Sequence, residues 1–205
     1  EEIRIDRNIR LAELTGAHIH IQHVTSAQGV EIVRTAKERG VRGTCETCPH
    51  YFTLTDEAVR TFNTSAKMNP PLREQADVEA VIAGLEDGTI DCIATDHAPH
   101  TLAEKNSARP PSGVPGLETM LPLLLSAVHE GRLALPDIAR LCCEGPATVY
   151  GIRAKGRIAP GFDADLTLVD PDEEWVIGER PIFSKCGWTP FAGWRVRGAV
   201  KRVFV

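Results

Sequence analysis

Asp91-Cys-Ile-Ala-Thr-Asp96-His97-Ala-Pro-His100 is an apolar strand that ends abruptly in a carboxylate and two imidazoles. Residues such as Ile93 and Ala94 build a buried strand, so Asp96 places a charge where the strand meets a cavity or solvent. In α/β proteins the carboxyl ends of parallel strands are where ligands and catalytic groups gather. An acid and two imidazoles at one such end point to metal-assisted or acid–base chemistry.

The same alternation of strand and helix extends upstream of this segment. Ala17 to Val24 alternates with period two and predicts a strand. Thr25-Ser26 can cap a helix over Ala27 to Arg39, closed by Gly40, before a second strand over Val41 to Thr47. A helix over Glu74 to Glu86 stops at Gly88 and leads into the third strand, Ile90 to Thr95. Ile3 to Thr15 reads as an amphipathic helix ended by Gly16. Pro49 to Thr55 is predicted as a loop and Asp56 to Thr61 as a helical turn. After a Pro/Gly-rich loop over His97 to Gly116, helices are predicted at Leu117 to His129, Pro136 to Cys143 and Pro146 to Tyr150.

This spacing indicates parallel βαβ units. Beyond Gly151 the texture changes, and Lys155 to Val169 and Trp194 to Val205 read as short β-segments. A boundary near Tyr150 therefore divides the chain into 1–150 and 151–205. A closed eight-stranded β/α barrel needs about 250 residues, and three parallel strands do not close a core. The chain is expected to be a piece of a larger fold.

Composition narrows the function classes. The 205 residues are 42% hydrophobic and 25% charged, with a formal net charge of −5. The 23 Lys and Arg are scattered rather than clustered, which argues against a nucleic-acid footprint. No apolar run approaches the roughly 20 residues that span a bilayer, and Glu1 to Arg7 has no signal-peptide layout. The six cysteines read as reduced, buried thiols of a cytoplasmic protein rather than a disulfide framework.

His18, His20 and His23 share one predicted strand, whose period puts His18 and His20 on one face and His23 on the other. A strand histidine is more often a hydrogen-bonded core imidazole than a ligand. His23 stands out because it ends its strand, as Asp96 ends the third. An imidazole and a carboxylate from two strand ends suit a divalent ion such as zinc. Cys45-Glu-Thr-Cys48 has no second pair at zinc-site spacing, so it reads as two thiols flanking a strand end. The prolines after Asn69 pre-set the backbone around that amide. Pro110 to Gly116 follows Asp96 and is a candidate lid.

HIQHVTS (20–26), ETCPHYFTLTD (46–56), KMNPPLR (67–73), ATDHAPHT (94–101) with Glu104-Lys105 after it, and PSGVPGLET (111–119) together resemble the dihydroorotases of the cyclic amidohydrolase superfamily. The bacterial type related to hydantoinases and allantoinases is the nearest in pattern. GRIAPGFDADLTLVD (156–170) and SKCGWTPFAGW (184–194) are similar to the small β-sandwich that flanks the barrel there. The resemblance implies an α/β fold: the C-terminal part of a TIM-like β/α barrel, about strands six to eight, with part of that sandwich.

It also implies roles, position by position. His23 would be the metal ligand at the end of the sixth strand. Asp96, on the eighth, would bind metal and shuttle the catalytic proton. Asn69 and His100 would bind substrate, and Ser112 and Gly113 fall where the family's lid touches it. One or two zinc ions are implied, with the remaining ligands expected in an N-terminal part of the same polypeptide, since the family's H-x-H motif, bridging lysine or aspartate, fifth-strand histidine and strand-one arginine have no counterpart here.

The implied activity is the interconversion of L-dihydroorotate and N-carbamoyl-L-aspartate in pyrimidine biosynthesis, with the fragment inactive alone. A homodimer, or a partnership with aspartate transcarbamoylase, is the expected assembly. A hydantoinase or allantoinase, and a non-catalytic dihydroorotase-like subunit, are the competing readings.

Overall fold

The computed structural model describes residues 1–205. Three parallel strands, β1 (Ile19–Ile21), β2 (Gly43–Thr47) and β3 (Cys92–Ile93), form one sheet in the order β1-β2-β3. Ile19 pairs with Gly43, and Glu46 pairs with Cys92. Helix α1 (Glu2–Thr15) precedes β1, and α2 (Ala27–Glu38) crosses from β1 to β2. After β2 come α3 (Pro49–Thr53) and α4 (Glu57–Phe62), and α5 (Gln75–Glu86) returns to β3.

Local chemistry explains these limits. Ile5, Ile9 and Ala12 put one apolar stripe of α1 inside, and Gly16 ends the helix in a left-handed turn, its amide bonded to the Ala12 carbonyl. Ser26 caps α2 by accepting the Gly29 amide at 3.1 Å. The segment predicted as a loop at Pro49 is instead α3, because proline at the first helical position loses no hydrogen bond.

One core lies between the sheet and the helices that cover it. It joins Ile5 and Ile9, Val30 and Val33, Cys45, Val81 and Leu85, Ile93, and Leu124 and Leu125. Asp91 fixes how β3 sits on β2. Its carboxylate accepts the Cys45 amide at 2.7 Å and the Lys37 ammonium at 2.7 Å. Lys37 also donates to the Thr89 carbonyl at 2.8 Å, which ties α2 to the same point.

Beyond β3 lie the short α6 (Leu102–Lys105), α7 (Met120–His129) and α8 (Leu135–Ala139). The last runs through a π-helical turn, Arg140–Glu144, into α9 (Gly145–Val149). Gly145 meets β3 so closely that a Cβ there would stand 2.2 Å from the Asp91 carbonyl oxygen. No helix is long and apolar enough to cross a membrane.

The tail is a two-stranded antiparallel ribbon, β4 (Leu166–Val176) with β5 (Arg195–Phe204). The strand predicted from Lys155 starts only at Leu166. Before it the chain turns, with Lys155 paired to Asp163 and Asp165 and the Asp163 amide on the Ala154 carbonyl. The ribbon is stitched to α7 where Ser126 Oγ accepts the Arg197 amide at 2.8 Å. Ile177, Trp188, Phe191 and Val196 share a second core with Cys48, Tyr51, Leu54, Met68, Leu72 and Val114.

These contacts give a contrast that can be measured. Gly145→Ala is expected to cost at least about 3 kcal/mol or to prevent folding, because backbone rather than a flexible side chain blocks the new methyl. Gly16→Ala, where a Cβ meets nothing within 4 Å, is expected to cost only about 1 kcal/mol of left-handed strain. Urea unfolding of both variants decides this, and equal midpoints would show the α9–β3 approach to be wrong.

Candidate active site

Both strand ends singled out by the sequence break in the same way. His23 has φ 41° and Asp96 has φ 44°, left-handed values that non-glycine residues rarely take. Each costs roughly 1 kcal/mol or more and re-aims a side chain just past the carboxyl end of its strand. β1 and β3 are also shorter than predicted, although the Val24 amide still bonds the Glu46 carbonyl at 2.8 Å.

β1 ends at Ile21, so His23 lies past the strand in which it was predicted. His20, Ile21, Gln22 and His23 all line one cavity of about 670 Å³ with Asn69 and Arg73. A His23 ring nitrogen, Nδ1, is buried without a hydrogen-bond partner.

Asp96 is exposed at the end of β3, with β2 between it and His23. His100, Ser112 and Gly113 belong to the loop that follows Asp96 and do not line the His23 cavity. That loop is closed at its base. His97 bridges to Val114, and His97 Nδ1 accepts the Gly116 and Leu117 amides, each at 3.2 Å. Trp188 Nε1 donates to the His100 carbonyl at 2.8 Å, so the tail segment fixes the backbone of that histidine. Gly113 is required twice over: its φ is +104°, and a Cβ would fall 2.5 Å from that of Ala98. Asn69 is exposed beside Pro70, whose carbonyl accepts the buried Tyr51 hydroxyl at 2.8 Å.

A second donor cluster lies on the inner face of the sheet. Ligand atoms of His20, Glu46 and Cys92 all lie within 4.8 Å of one another, close enough to hold a metal ion. His20 and Glu46 already have partners, however. His20 Nδ1 meets Thr44 Oγ1 at 2.8 Å, and Nε2 meets Glu46 Oε2 at 3.0 Å. Burial, with Glu46 nearby, pushes the Cys92 thiol up to about 12.

Burial also raises the pKa of Cys45 and Cys48, and neither forms a disulfide. The C-x-x-C spacing is structural packing at the end of β2. His50 is 2% exposed, and burial, helped by the charge of His23, lowers its pKa to about 3.

Comparison with known proteins bears on this arrangement. The amidohydrolase family model matches residues 2–205. The chain belongs to the amidohydrolase family. It is 50% identical over 202 residues to a dihydroorotase of Geobacter sp. (strain M21), covering 97% of this chain and 47% of that protein. It is 51% identical over 211 residues to a dihydroorotase of Pelobacter propionicus, covering 100% and 49%. Among amidohydrolase structures, an L-hydantoinase from Arthrobacter aurescens superposes with a TM-score of 0.92 at 29% identity, over 99% of this chain and 47% of that one. A D-hydantoinase superposes at 0.88 with 33% identity, covering 98% and 46%. The chain thus spans about half the length of the curated relatives it matches. These likenesses indicate a TIM-barrel-type α/β fold.

Sequence reasoning missed three contributors to this site. Tyr51 and Trp188 act through a hydroxyl and an indole that no spacing marks as functional. Lys105 is a buried lysine in a stretch read only as loop. One signal for its helix was present: Thr101-x-x-Glu104 is a capping box, and both reciprocal bonds form.

The buried His50 makes stability depend on pH. The unfolded chain protonates this group near 6.5 and the folded chain only near 3. The unfolded state therefore binds more protons in that window, and stability falls as pH falls. From pH 7 to 5 the loss is expected to be about 2 kcal/mol. Chemical denaturation should show His50→Gln losing correspondingly less over that range, whereas parallel curves for the two proteins would contradict the buried, neutral imidazole.

Proposed function

We propose that this chain is the C-terminal part of a zinc-dependent dihydroorotase, which interconverts L-dihydroorotate and N-carbamoyl-L-aspartate in pyrimidine biosynthesis. The observation that carries this reading is identity of about 50% over nearly the whole chain to proteins named dihydroorotase. Residues 1–150 would supply about strands six to eight of the barrel, and 151–205 part of the flanking sandwich. The exposed Leu168 and Val203 on the ribbon suit a face that further strands cover.

His23 and Asp96 would hold zinc. The fit rests on the buried His23 nitrogen that has no protein partner and on a carboxylate at a strand end, a donor pair zinc accepts. Neither His50, which has a similarly free ring nitrogen, nor Asp96 lines the cavity that His23 faces. When bound, zinc supplies a Lewis acid that lowers the pKa of water to about 7 and polarises a carbonyl.

The residues of this chain then divide the work. In the hydrolytic direction water adds to the ring amide carbonyl, and Asp96 takes the proton it releases. The same carboxyl returns that proton to the amide nitrogen as the C–N bond breaks, acting first as base and then as acid. Asn69, His100, Ser112 and Gly113 would hold the ring and its carboxylate by side-chain and backbone hydrogen bonds. Zinc's remaining ligands would come from outside this chain.

The solved structures most like this chain include hydantoinases, so hydantoin hydrolysis is the competing reading. Steady-state assays of the full-length enzyme on dihydroorotate, hydantoin and allantoin separate the two. Dihydroorotate is expected to be the preferred substrate, and preference for another ring would replace this reading. Asp96→Asn in the same protein is expected to lower kcat about a thousandfold or more while the fold persists. Near-normal turnover by that variant would remove Asp96 from the proton path.

A further inference from the structure

Lys105, the last residue of α6, is 0% exposed. A lysine ammonium has three N–H donors, and all three are used on backbone. It donates to the Lys67 carbonyl at 2.9 Å, the Pro111 carbonyl at 3.0 Å and the Gly113 carbonyl at 2.8 Å. The Lys67 carbonyl also accepts the Gly113 amide at 2.9 Å, and the Lys67 ammonium reaches the Pro110 carbonyl at 2.6 Å. Two segments far apart in sequence, one entering Asn69 and one carrying Ser112 and Gly113, thus converge on one buried cation.

This arrangement is costly. A buried charge is tolerated only when its donors are satisfied, and here carbonyl dipoles replace a carboxylate counter-ion. Burial, with the charge of Lys67 nearby, lowers the Lys105 pKa to about 8. An apolar side chain could fill the space but could not draw three carbonyl oxygens to one point. The result is a loop closed at its base by His97 and Val114 and tied at its centre by an ammonium.

We propose that Lys105 is a positioning residue for substrate: it sets the Asn69 segment and the Ser112–Gly113 segment side by side as a preformed surface, so that this loop is not a lid. The proposal rests on the reading that those two segments contact the cyclic substrate. Lys105 itself touches neither substrate nor metal. Its three ammonium donors are taken by the backbone of residues 67, 111 and 113, which leaves none for His23 or Asp96.

The test uses the full-length, zinc-loaded enzyme with Lys105→Met and Lys105→Gln. Lys105→Met is expected to raise KM for dihydroorotate about tenfold or more while kcat falls less than about threefold, the signature of lost binding rather than lost chemistry. Zinc content should stay at the wild-type level, and Lys105→Gln, which keeps an N–H donor, should recover part of the KM. A KM within about twofold of wild type, or a joint loss of kcat and zinc, would overturn the proposal.

Hydrogen exchange on the wild-type enzyme keeps the proposal testable if Lys105→Met does not fold. Amides across 98–116 should be equally protected with and without N-carbamoyl-L-aspartate. Protection that appears only with this ligand would establish a lid and refute a preformed surface. A wild type that hydrolyses hydantoin instead of dihydroorotate would remove the substrate assignment alone, and the same KM comparison then runs on that ring.

Discussion

The left-handed backbone at His23 and Asp96 is the constraint on which the site depends. The two residues lie two and three positions past the ends of parallel strands, and each takes a conformation that strand-forming sequences avoid. Such strain persists only where the surroundings over-determine it. Here the surroundings are the register of β1, β2 and β3 and the Asp91 carboxylate that locks β3 to β2 and α2. The sheet holds rigid ends, and the ends present an imidazole and a carboxylate.

The inner face of the same sheet carries a second polar group, and the two differ in how complete they are. His20, Glu46 and Thr44 satisfy one another, and the Cys92 thiol is held protonated. A satisfied network stabilises and specifies a fold. His23 retains a buried nitrogen with nothing to bond, and it faces open space shared with Asn69 and Arg73. An unmet donor or acceptor beside a cavity is a better sign of an absent ligand than mere proximity of metal-binding residue types. The loop after Asp96 follows the opposite logic: every donor of its buried ammonium is occupied.

Much of this was legible in the sequence because the signals were local. The period of the apolar residues gave α1, α2 and α5, and the glycines at 16, 40 and 88 gave their ends. Asp96 was visible as a charge on an apolar strand. What could not be read is what depends on contacts between distant segments. His23 was read inside a strand that ends at Ile21, and its reversed φ is set by tertiary structure rather than by the residue. The extent of β4 was misjudged because its approach is a turn held by ion pairs. Lys105 gave no hint of burial, since its three partners are backbone atoms of residues 67, 111 and 113.

Which donors take the ion decides between the two clusters. Anomalous diffraction at the zinc edge, from crystals of the zinc-loaded full-length enzyme, locates the metal directly. The account predicts density within bonding distance of His23 and Asp96 at the strand ends, with the His20–Glu46 hydrogen bond intact. Zinc held instead by His20, Glu46 and Cys92, with His23 and Asp96 unliganded, would contradict it.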